Sequence, residues 1–139
     1  MKNKAPLQLM EQLIMILVFA LTAALCLQGF ATAHRISHRQ QARDRAVVAA
    51  QNAAELLKSQ QGDFAAAADL LGGNWDGTSW TVTYDADFVP LSVGAASVYT
   101  MTAVPVPSGQ PLLGCAQIRV ENRTEELFSL TAAWQEAAP

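Results

Sequence analysis

The sequence predicts an α+β protein: one long N-terminal helix, over about residues 7–60, packed on an antiparallel sheet of roughly four strands. Three observations predict this. Residues 13–33 form an apolar run without a single charge. Residues 34–61 contain neither Gly nor Pro and repeat apolar side chains at spacings of three and four. From residue 80 onward, short segments alternate apolar and polar residues and are separated by turn signals.

The apolar run, 21 residues at ~1.5 Å per residue, makes a helix of about 31 Å, which matches the ~30 Å hydrocarbon core of a bilayer. The helix signal continues past it. Val47, Ala50, Ala54 and Leu57, with Ala46, Ala53 and Leu56 beside them, form one stripe, while Arg45, Gln51, Asn52, Glu55 and Lys58 occupy the rest of the circumference. The small Ala side chains let a flat surface approach closely. Gln61-Gly62-Asp63 ends this helix, and Asp63 is a good N-cap for a short second one, FAAAADLL, stopped by Gly72-Gly73.

The remainder reads as a meander. Asp76-Gly77 is a tight-turn pair before WTVTYD, where Trp80, Val82 and Tyr84 point one way and Thr81 and Thr83 the other. ASVYTMTAVPV is a second strand, closed by the turn PSGQP. In LLGCAQIRV, Ala116, Ile118 and Val120 alternate with Cys115, Gln117 and Arg119. ENRTEE turns into LFSLTAAW, which places Phe128, Leu130, Ala132 and Trp134 on one face. A sheet with one apolar face needs a cover, and the stripe on the long helix is the only large apolar surface left to supply it.

Composition narrows the function classes. The net charge of −3 makes no general case for nucleic acid or acidic substrates. Cys26 and Cys115 lie far apart, expected as isolated buried thiols and not as a disulfide framework. No nucleophile–base set, phosphate loop or acid–base carboxylate pair can be assembled, so no enzyme and no cofactor are expected. His34 and His38 share a helix face but lack a third ligand, and read as polar residues, with no metal site. Asp85 and Asp87 are a weak calcium signal without a loop of further oxygen ligands. Asn122-Arg123-Thr124 fits a glycosylation sequon, read here as chance.

LQLMEQLIMILVFALTAALCL, with Glu11 set just before the apolar run, resembles the start of type IV pilins and type II secretion pseudopilins. The divergent leader and the absence of a disulfide-bounded loop are nearest to a minor pilin or pseudopilin. The resemblance implies a leader-like segment over 1–6, a transmembrane and assembly half over 7–33, and an exported α+β domain over 34–139. Leu7 would be the first mature residue, Pro6 and Leu7 the processing junction, and Glu11 the family's fifth-position glutamate, which pairs with the terminal ammonium of a neighbouring subunit. The family places Gly where this chain has Pro6; a cut after Ala5 would instead move Glu11 to sixth place. Partners implied are other pilin-like subunits, membrane lipid before assembly and the inner-membrane assembly machinery. Arg35, Arg39 and Arg43 would meet lipid headgroups or, as the lesser option, DNA. The expected location is a single pass of the cytoplasmic membrane with the C-terminal domain outside it, then the filament.

Two rival readings use the same segment. Lys2 and Lys4 before the apolar run and Ala31-Thr32-Ala33 after it suit a secretory signal peptide, and Cys26 suits a lipoprotein signal except for the bulky Leu25 before it. Either would leave a small binding domain that does not polymerise, as would a plain single-pass anchor. The arginines following the span, Arg35, Arg39, Arg43 and Arg45, also pull against an exported domain by the positive-inside rule.

Overall fold

The computed structural model describes residues 4–136. Helix α1 (Ala5–Ser59) and helix α2 (Phe64–Leu71) precede five strands, β1 (Asn74–Trp75), β2 (Trp80–Tyr84), β3 (Tyr99–Val106), β4 (Leu113–Asn122) and β5 (Glu126–Gln135). The chain forms two compact units, one ending at Gln40 and the other beginning at Gln41, and α1 contributes to both. Lys2, counted above with the basic residues before the apolar run, lies outside the described residues.

In the first unit α1 is a bare apolar helix, long and apolar enough to cross a membrane. Leu7 and Phe30 are 77% and 81% exposed, and residues between them are similarly uncovered. Pro6 sits in the first turn, where its missing N–H breaks no helical bond. Thr22 and Thr32 donate their hydroxyls back to the carbonyls of Val18 and Gln28 at 2.8 and 2.9 Å, so neither hydroxyl needs water. Cys26, expected to be a buried thiol, is instead exposed, and Cys115 is half-buried. Burial of Cys26 would need a covering surface, and the described residues of this unit form a single helix.

In the second unit the sheet has the order β1-β2-β3-β4-β5, with every neighbouring pair antiparallel. The fifth strand, beyond the roughly four expected, is β1: the turn after it folds Asn74 and Trp75 onto Thr81 and Trp80. Rows run across the inner face as Trp80–Ala103–Ile118–Leu130 and Val82–Met101–Val120–Phe128, so that a small side chain stands beside the largest one. The alternation expected for β2 and β4 is observed: Trp80, Val82, Tyr84, Ala116, Ile118 and Val120 are buried. In β5 the register shifts between Val120 and Glu121, two steps on β5 matching one on β4, which makes Leu127 the extra residue. Leu127 is therefore buried along with Ala132 and Trp134, while Phe128 and Leu130 are half-buried.

The cover is the second half of α1, through Ala46, Ala49, Ala50, Ala53, Ala54 and Leu57, with Phe64 and Ala67 of α2 beside it. Ala49 joins the expected stripe, whereas Val47 and Leu56 lie at its margins. Gln61 and Gly62, both at positive φ, end α1, and Gly62 N–H donates to Leu57 O at 2.8 Å. Asp63 caps α2 by accepting from Ala66 N–H at 3.0 Å. Trp80 ties α2 to β2, its Nε1–H donating to Gly72 O at 3.0 Å. Phe64 stacks on Trp75 with ring centres 4.7 Å apart and meets Trp134 edge-on at 6.2 Å.

Two glycines make room for the Trp134 indole. A Cβ on Gly62 or on Gly114, which pairs with Trp134 across β4 and β5, would strike its Nε1 edge. Gly114→Ala is therefore expected to destabilise the domain by about 1–3 kcal/mol, measured as a lower urea midpoint of the full chain in detergent micelles. An unchanged midpoint would mean that the indole moves aside freely. Burial of Tyr84 pushes its phenol up from 10.0 to about 12. The neutral phenol is the form the fold favours, so stability is full below pH 10 and declines as pH rises from 10 towards 12. Tyr84→Phe should remove that part of the alkaline slope in pH-dependent melts.

Candidate functional site

Glu11 is exposed in the second turn of α1. Helical spacing places Gln8, Gln12 and Met15 on its side of the helix, the first two extending its polarity by a turn. Among the described residues no cation pairs with Glu11. Followed along α1, the same side carries Val18, with Phe19 and Leu25 at its margins, and then the small Thr22, Cys26, Gly29 and Ala33, and a Cβ at Gly29 would meet nothing within 4 Å. The opposite side carries Leu9, Leu13, Ile16 and Leu27. The bare helix thus has a bulky apolar side and a second side that is polar at its start, apolar at Met15 and Val18, and thin from Thr22 onward. Thin sides let two helix backbones approach closely in an apolar medium. Sequence reading had singled out Glu11 but missed this side, although its spacing of three, four and multiples was there to be counted.

Pro6 and Leu7 are exposed, and the bond between them lies inside the first turn of α1. Cleavage at that bond requires the turn to open. Arg35, Arg39 and Arg43 are exposed at every fourth position along α1. The His34 and His38 rings meet edge to face, centres 4.4 Å apart, with their Nε2 atoms 3.0 Å apart. Among the described residues no group of three or more His, Cys, Asp and Glu is placed to hold a metal.

The carboxylates weighed for calcium are occupied by the fold. Asp85 Oδ1 accepts from the N–H groups of Asp87 and Val89, both at 2.9 Å, closing the turn after β2. Asp87 faces Arg45 of α1 at 3.7 Å. Asn122 of the sequon likewise serves a turn, its Oδ1 accepting from Thr124 N–H and Oγ1–H and from Glu125 N–H at 2.8–2.9 Å.

The strongest local electrostatic arrangement is in the turn between β1 and β2. Ser79 N–H, Thr78 Oγ1–H and Thr78 N–H all donate to Asp76 Oδ1 at 2.7 Å, and Ser79 Oγ–H donates to Oδ2 at 3.2 Å. These donors hold the carboxyl far below its ordinary 3.8, the Ser79 N–H contributing most. The group is exposed, and the arrangement fixes the turn.

The chain matches no protein-family model, no curated protein and no solved structure.

The Asp76 contribution to stability is complete above the unfolded value of 3.8 and is lost as pH falls through the lower folded value. NMR titration of Asp76 should therefore place its midpoint well below the ordinary 3.8, and Asp76→Ala should cost stability at neutral pH but progressively less in strong acid. A midpoint near 3.8 would contradict the turn geometry.

Proposed function

We propose that the chain is a structural subunit, of the minor-pilin or pseudopilin kind, in a type IV pilus or type II secretion-type filament. Before assembly α1 anchors it in the cytoplasmic membrane, with the pilin-like α+β domain outside. The observation that carries this reading is on α1. A bare apolar helix holds one carboxylate, Glu11, fifth when counted from Leu7, at the head of a side that thins to Thr22, Cys26, Gly29 and Ala33.

An isolated subunit can rest Glu11 at headgroup level, because residues 13–33 span the hydrocarbon without it. Inside a bundle of such helices the carboxylate is desolvated, at a cost of about 2.5–3.5 kcal/mol if deeply placed and unpaired. The terminal ammonium of a neighbour, at Leu7 after processing, removes that cost in one stagger and leaves it in the others, so the pair sets register. Gln8 and Gln12 add hydrogen bonds beside it. Arg35, Arg39 and Arg43 suit phospholipid headgroups just beyond the span. The remaining partners of this reading are other pilin-like subunits and the membrane-embedded machinery that extracts them.

The competing reading is a single-pass anchored or secreted binding domain that never polymerises; the four arginines that follow the span count against an exported domain in either reading. Intact mass of the native protein separates the two at once: a start at Leu7 or Pro6 is expected, and a start at His34 overturns the filament because the assembly helix would be gone. Glu11→Ala and Glu11→Gln should insert normally into membranes yet fall by about tenfold or more in sheared filament fractions, the loss of one buried ion pair. Unchanged incorporation would refute the pairing role.

A further inference from the structure

The two edges of the sheet are built differently. At the β2 side, β1 covers Trp80 and Thr81, and the segment after β2 folds back over the rest. There Leu91 N–H donates to Thr83 O at 2.8 Å, and Pro90, which has no N–H to offer, stands in bridging position to Tyr84. A very short edge strand and an edge proline are devices that stop further strand pairing. At the β5 side nothing equivalent is present: among the described residues no backbone group pairs with the outer edge of β5.

That edge is long and regular. Residues 127–135 run without a charge, a proline or a glycine. Beyond the bulge at Leu127 the register is unbroken from Val120↔Phe128 to Leu113↔Gln135. On the outer face Ser129, Thr131, Ala133 and Gln135 are exposed and small or uncharged, so the backbone is reachable. Half-buried Phe128 and Leu130 offer apolar contact on the inner face.

Charge selects the occupant. Residues 41–139 carry five basic and eleven acidic side chains, a net charge of −6, and Glu126 and Glu136 bracket the edge. Glu126 already holds Arg119 at 3.1 Å. A second copy pairing antiparallel about Thr131, the arrangement that uses the whole strand, would set Glu126 opposite Glu136 twice, and like charges directly opposite destabilise a strand pair. We propose that the β5 edge is a docking site for an extended segment of a different protein, added as a sixth strand, uncharged along its length and bearing Lys or Arg at both ends. Main-chain hydrogen bonds give such a contact its affinity, and the basic ends give it direction and selectivity. The inference is independent of the filament reading, since an anchored binding domain would carry the same edge.

The test uses the full chain in detergent micelles and two capped peptides of alternating Thr and Val, one with two Lys at each end and one with two Glu. Hydrogen exchange and amide shifts followed by NMR should show the Lys peptide protecting β5 amides, with the Glu peptide binding about tenfold or more weakly. Ser129→Lys/Ala133→Lys should weaken the Lys peptide by a similar factor while far-UV circular dichroism stays unchanged. If that variant fails to fold, Glu136→Lys, at an exposed position past the end of β5, is expected to weaken the Lys peptide instead. No β5 response to millimolar Lys peptide, equal responses to both peptides, or β5 shifts that follow protein concentration alone would each overturn the proposal, the last by naming a second copy as the occupant.

Discussion

Ala46, Ala50 and Ala53 have no exposed surface, and through them α1 presses its backbone against the apolar face of the sheet. A helix that met this face with Leu or Phe would stand further off, and the sheet's own large groups, Trp80, Met101, Ile118 and Val120, would no longer fill the space between. The methyl seam supplies little apolar area per residue. The bulk of the burial therefore falls to the sheet, to Leu57 near the end of α1 and to Phe64 at the start of α2. One aromatic cluster stands where α1 stops: Phe64, Trp75 and Trp134 close the end of a layer that alanine alone leaves thin.

The same helix meets two different demands along its length. Over residues 41–59 one stripe is apolar and the rest is polar, as suits a helix between a core and water. Over its first part the apolar residues surround it, interrupted by Glu11 and the small side chains in line with it. Neither Gly nor Pro occurs between residues 34 and 61, so no sequence feature breaks the hydrogen-bond ladder where the surroundings change. Thr22 and Thr32, bonded to their own helix, keep hydroxyls in the apolar part without asking anything of the solvent.

How much of this was legible in the sequence depended on whether the cause was local. Trp80, Val82 and Tyr84 were assigned to one face correctly because a period of two needs only the strand itself. The Asp63 cap and the Gly72 stop of α2 were legible for the same reason. β1 was not, since two residues carry no period and their pairing is imposed by the turn that follows. Leu127 was placed off the core face because alternation was counted back from Trp134 through a bulge that only the partner strand reveals. Asp85 and Asp87 looked free in the sequence; Asp85 in fact closes its own turn, a local use that no period marks, whereas the Arg45 partner of Asp87 is set by tertiary structure. In the candidate site, a charge beside an apolar run made Glu11 obvious. The thin side below it was obscured because Thr, Cys, Gly and Ala barely disturb an apolar average.

The three tryptophans, Trp75, Trp80 and Trp134, all lie in the second unit, and the first 40 residues contain none. Trp80 and Trp134 are buried, one with its N–H bonded and the other with its N–H unpartnered, while Trp75 is half-buried against Phe64. Intrinsic fluorescence of this protein is therefore an optical record of the α+β domain alone. It reports whether the sheet is closed over its core and is silent about whether the N-terminal helix sits in detergent, lipid or a neighbouring bundle, so the two halves can be followed separately without a label in the first.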